Sequence, residues 1–149
     1  MDGLHQLGPD SPAAAANRDA ALRAVAEGRY FDLIESQTAR AFHPDSLANA
    51  ALMAAHRQMV RDYGPERFVA HVRATGARPN RSQWLDGTRP TLALSASHDA
   101  LYPPGLVASC AQAIPGATQA VIKDAGHLAP MEKPAEVAAA PARWMGLPA

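Results

Sequence analysis

RPTLALSASHDALYPPGLVASCAQAIPGATQAVIKDAGHLAPMEKPAEV, residues 89–137, changes its hydrophobic period several times in a short span. TLALSAS is an apolar and small-residue run behind Pro90, PGLVASCAQAI has helical spacing, PGA is a turn, and TQAVIK is a second short apolar run. PAEVAAAPARWMG then closes the series as a helix with Pro141 inside it. Strand, helix, strand, helix with short connections predicts an α/β fold with a parallel β-α-β-α unit and a right-handed crossover. Parallel pairs are normally buried on both faces and two strands alone are marginal, so the unit reads as the edge of a larger parallel sheet.

The turns after the two strands hold the titratable groups. HDALYPP puts Asp99 at the carboxyl end of the first strand, and DAGH puts His127 at the same end of the second. Neighbouring parallel strands bring these ends side by side. A carboxylate that accepts a hydrogen bond from an imidazole fixes its tautomer and stabilises the imidazolium formed when the ring takes a proton from a nucleophile. Taken singly, Asp99 reads as a turn cap and His127 as a loop histidine bonded to backbone; taken together they read as two thirds of a Ser-His-Asp system. His98 precedes Asp99, but neighbours in an extended chain point in opposite directions, so it is expected to face solvent. Cys110 lies mid-helix near Val107, Ala111 and Ile114, where a small buried hydrophobe is the expected role rather than a substitute nucleophile.

Upstream, residues 11–87 follow a helical period and are rich in Ala and Arg. Ser11 and Pro12 form a helix start, and Gly28 stops that helix. RYFDLIESQTARAF follows and HP breaks it. Asp45 or Ser46 is expected to cap a longer helix with an apolar stripe of Leu47, Leu52, Ala55, Met59 and Tyr63, which Gly64 and Pro65 end. PERFVAHVRATG and a turn-rich ARPNRSQWLDGTRP lead to the first strand.

Composition narrows the function. The 149 residues balance 14 Lys and Arg against 14 Asp and Glu, and 48% are hydrophobic, as in an ordinary globular domain. Without a basic stripe, nucleic acid is not an expected partner, and neither is an anionic membrane surface. The single cysteine excludes an internal disulfide framework and a cysteine-rich zinc site, and fits a cytoplasmic setting. MDGLHQLGPDSP reads as neither an export signal nor an anchor, and no apolar run approaches the roughly 20 residues that span a bilayer.

Residues 89–137 resemble the C-terminal portion of an α/β-hydrolase-fold enzyme. That family shows a strand, an Asp four residues before a proline, a helix, an IPGA turn, a second strand and then GxGHxxxxEKPxxV; this chain departs from the last pattern only in carrying Asp124 at its first glycine. The resemblance implies Asp99 as catalytic acid and His127 as catalytic base. It also implies that residues 1–87, with FHPDSLANAALMAAHRQMVRDYGPERFVAHVRA, are the helical cap that roofs the substrate pocket, and that residues 88–149 are the C-terminal part of the core. On this view His43, His56 and His71, whose spacing has no metal-ligand logic, take surface or cap-interface positions, and Lys123 and Asp124 are solvated strand-end charges. A cap whose inner face lines the pocket implies a small, partly apolar substrate.

The family's nucleophile sits on a GxSxG elbow upstream of the cap. No such motif occurs here; the serines at 11, 36, 46, 82, 95, 97 and 109 lie in caps, helices, loops or the strand. The expectation is a C-terminal fragment of a cofactor-independent, metal-free hydrolase of ester or related acyl bonds, inactive by itself and completed by an N-terminal half. The competing expectation is a catalytically inactive remnant or interaction module that self-associates through its exposed sheet edge and cap.

Overall fold

The structure, a computed structural model, describes residues 11–147. The N-terminal stretch read as free of an export signal lies, through residue 10, outside them. Helix α1, Pro12–Ala26, starts where the Ser11 side chain accepts a hydrogen bond from the Ala14 N–H at 3.2 Å, and it stops just before Gly28. Helix α2, Tyr30–Ala41, ends at the extended Phe42, ahead of Pro44. The Tyr30 hydroxyl donates to the Val60 carbonyl at 3.0 Å and its ring packs on Phe68, 5.5 Å between centroids, which ties α2 to the next long helical segment.

The next segment corrects one expectation. A single turn, α3 (Pro44–Leu47), comes first, and the long helix α4 (Ala50–Gly76) begins after Asn49, whose side chain accepts from the Leu52 N–H at 3.0 Å. Asn49, not Asp45 or Ser46, is therefore the cap. The inward face follows Met53, His56 and Val60, while Ala55 and Met59 face outward and Leu47 stays in the preceding turn. Inside α4 the helix breaks at Gly64, whose φ of 74° and ψ of 165° no longer fit an α-helix, directly before Pro65. Glycine meets this positive φ without steric cost, and proline has no N–H to donate to the earlier turn.

A short 3₁₀ turn at Ser82–Trp84 precedes strand β1, Leu92–Ala96. Helix α5 (Pro104–Gln112) crosses to strand β2 (Thr118–Ile122), and α6 (Ala129–Glu132) and α7 (Pro134–Trp144) follow. The strands pair in parallel from Leu92 opposite Thr118 to Ala96 opposite Ile122. Among the described residues the sheet has two strands. Ala96, Ile122, Ala125, Ala129 and Ala140 form the buried centre of this half, with Leu94 and Val137 packed on it. These small side chains allow α7 to lie close to the sheet, and Pro141 is accommodated within it. No described helix is long and apolar enough to cross a membrane.

Candidate active site

Strand pairing continues past the last paired residues and sets the two loops against each other. The Ser97 N–H donates to the Ile122 carbonyl and the His98 N–H to the Ala125 carbonyl, each at 2.9 Å. Asp99 then closes a tight turn: its Oδ1 accepts from the backbone N–H groups of Leu101 and Tyr102, both at 2.8 Å. With Oδ1 so occupied, Oδ2 is left for the imidazole. His127 Nδ1 lies 2.9 Å from it, and the side chains of His127 and Asp99 are 35% and 10% exposed. The carboxylate is withdrawn from water while the ring remains reachable. Tyr102 stacks on the same ring, 5.8 Å between centroids and 22° from parallel, so the imidazole is held by its edge and by one face.

The backbone under His127 is clamped to the helical half. Gly126 lies so close to the segment leaving α2 that a Cβ there would stand 2.7 Å from the Phe42 carbonyl carbon and 2.8 Å from the His43 nitrogen. The Glu132 carboxylate bridges the same junction, with Oε1 accepting from the Gly126 N–H at 2.7 Å and Oε2 from the His43 N–H at 2.8 Å. The Leu128 N–H donates to the Ala41 carbonyl at 3.0 Å. Sequence reasoning missed Glu132 as a bridge; the EKP run marks it as a motif residue but does not indicate what it holds.

His127 opens on a cavity of about 590 Å³ between these loops and the helices, lined among others by Ile34, Thr38, Phe68, Val72 and Leu101. The lining is mixed, with apolar side chains from α1, from α2, from the second part of α4 and from the two loops. Of the other histidines, His43 and His56 are buried and His71 is exposed. His71 Nδ1 lies 2.9 Å from the Tyr63 hydroxyl. His56 packs edge-on to Phe42, and burial holds its pKa below the ordinary histidine value, with Glu35 opposing the shift and Arg57 reinforcing it. His98 is exposed, as expected, yet its ring meets that of His43 edge-on with centroids 4.2 Å apart. Asp124 and Lys123 are exposed, and Cys110 is half-buried on α5.

Against known proteins, a family model described as alpha/beta hydrolase fold matches residues 18–134. A thermophilic esterase from Thermogutta terrifontis, solved with malate bound, is 32% identical with a TM-score of 0.83, over 93% of this chain and 52% of its own. MGS-M2, an alpha/beta hydrolase from a Medee basin deep-sea metagenome library, superimposes with a TM-score of 0.77 at 17% identity, over 95% of this chain and 54% of its own. An enol-lactonase from Burkholderia xenovorans LB400 does so with a TM-score of 0.72 at 22% identity, over 94% and 53%. The chain thus spans about half the length of these structures. No curated protein matches it.

Proposed function

Because the chain belongs to the α/β-hydrolase fold family, we propose that it carries the acid and the base of a Ser-His-Asp hydrolase acting on esters or related acyl bonds. The nucleophile is supplied by chain outside these 149 residues, either on a longer form of the same polypeptide or on a partner. The observation that carries the reading is the 2.9 Å contact between His127 Nδ1 and Asp99 Oδ2, on a carboxylate whose other oxygen is fully engaged by backbone.

With Nδ1–H donated to Asp99, Nε2 is the basic nitrogen and the one that faces a nucleophile. A serine hydroxyl attacks the acyl carbon as its proton passes to Nε2; the imidazolium is stabilised by Asp99 and returns that proton to the departing alkoxide. Water repeats the sequence on the acyl-enzyme, losing its proton to Nε2 and releasing the acid and the free serine. Residues 1–87 act as the cap over the cavity and residues 88–149 as the end of the core; the apolar lining favours a small, partly apolar acyl or alcohol group, and no cofactor or metal enters the step. The 32% identity to an esterase over most of this chain supports the ester class.

A fluorophosphonate probe tests this on the polypeptide that ends in ARWMGLPA, recovered intact from its source cells. Expected is a labelled serine on that polypeptide, at a mass above 15.7 kDa, or on a co-purifying chain, with ester turnover abolished in His127→Ala. Turnover that survives His127→Ala overturns the proposal. One observation favours a second reading: Val121 on β2 is 44% exposed at a two-stranded sheet, which suits self-association through the sheet. That reading predicts a dimer without turnover, unaffected by substitution of His127.

A further inference from the structure

We propose that His43, His98 and Asp124 form a binding site for a zinc-type divalent cation, separate from the Asp99–His127 pair. The three residues come from three segments: the start of α3, the loop after β1 and the turn after β2. One ligand atom from each lies within 4.8 Å of the other two, so modest rotations of the exposed His98 and Asp124 side chains bring all three onto one ion.

Hydrogen bonds hold the segments that carry the three residues. Nδ1 of His98 is 2.8 Å from the Ser97 hydroxyl, which also accepts from the Asp124 N–H at 2.9 Å. The Ser97 hydroxyl therefore orients the His98 ring, leaving its Nε2 as the open nitrogen, and anchors the backbone that carries Asp124. His43 Nδ1 accepts from the Asp45 N–H at 3.2 Å, and the Asp45 carboxylate lies 3.8 Å from the same nitrogen. Ligation through Nε2 moves the ring proton to Nδ1, which gives up the bond from the Asp45 N–H and turns instead to the Asp45 carboxylate, a shift of acceptor that the 3.8 Å separation allows. The ligand backbones are fixed in advance: the His43 N–H by Glu132 and the His98 N–H by the Ala125 carbonyl. Asp124 stands at a φ of 50°, left-handed for a residue with a side chain.

Two imidazoles and one carboxylate select zinc over magnesium or calcium, which prefer oxygen donors, and leave a fourth position to water. An ion there joins the hinge of the helical half to both loops that carry the acid and the base. His98 adjoins Asp99, and Asp124 precedes His127 by three positions.

Isothermal titration of the 149-residue chain with Zn²⁺ in chelator-free buffer tests the site, with Co²⁺ as a spectroscopic probe. Expected are one equivalent bound, a tetrahedral visible band with Co²⁺, and binding weakened about tenfold or more in His98→Ala and in Asp124→Asn, both surface changes that leave the circular dichroism unaltered. His127→Ala should bind as the unsubstituted chain does. No uptake by the folded chain overturns the proposal. So does uptake indifferent to His98→Ala, or uptake lost in His127→Ala, which would place the ion on the acid–histidine pair.

Discussion

Asp99 Oδ2 accepts from the ring of His127 at 2.9 Å while Asp99 Oδ1 accepts two backbone N–H groups, so the carboxylate is both partner and fixture. An asparagine at 99 can keep the turn through its amide oxygen but presents an NH₂ to the imidazole. Asp99→Asn is expected to move the neutral ring proton from Nδ1 to Nε2, visible in the imidazole nitrogen shifts. On the proposed mechanism, kcat of the hydrolase completed by its nucleophile should fall about ten-thousand-fold. A ring that stays in its Nδ1–H tautomer in the variant contradicts the assigned roles.

Gly126 tolerates no side chain. A Cβ there would meet main-chain atoms at 2.7–2.8 Å, and those atoms belong to the α2–α3 junction rather than to a flexible side chain. Gly126→Ala should cost about 2 kcal/mol or more in urea unfolding. It should also lower Tm by several degrees.

Glu132 is expected to behave in a graded way. Glu132→Ala leaves the N–H groups of Gly126 and His43 without their carboxylate acceptor and should cost about 2 kcal/mol or more. Glu132→Gln keeps one carbonyl oxygen and should fall between. Equal losses in urea melts of the two variants would mean that packing, not the paired acceptors, accounts for the effect.

His56 gives a pH signature. Burial depresses its folded-state pKa below 6.5, so the unfolded chain binds the proton more readily. The stabilisation from keeping the ring neutral is fully present above pH 6.5 and is lost as the pH falls toward and through the depressed value. His56→Phe retains an aromatic edge against Phe42 and should flatten the fall in Tm between about pH 6.5 and 5 relative to the unsubstituted chain. Parallel Tm curves would exclude this histidine as the source.

The neighbourhood of Asp99 and His127 was legible because parallel strands carry their following loops to one edge, and strand order alone brings those loops together. The β-α-β-α unit was legible for the same local reason: period, turn residues and short connections agree. The start of α4 was misread because Asp45, Ser46 and Asn49 all suit a cap, and the choice falls to the single turn that Pro44 begins. The stripe of α4 was misread because Ala55 and Met59 are apolar yet face outward, while the buried face includes His56, which periodicity counts as polar. The meeting of His43 with His98 and Asp124 leaves no trace in spacing, since packing between the two halves brings those segments together.

The Glu132 bridge also has a bearing on how the chain is made. The contact from its carboxylate to the His43 N–H spans 89 positions in sequence. During synthesis the segment that includes His43 emerges well before Glu132 exists, so the junction waits with an unmet donor until Glu132 follows. Closing so long a loop belongs to the slow part of folding. The backbone beneath His127 is therefore clamped to the helical half only once Glu132 has been made.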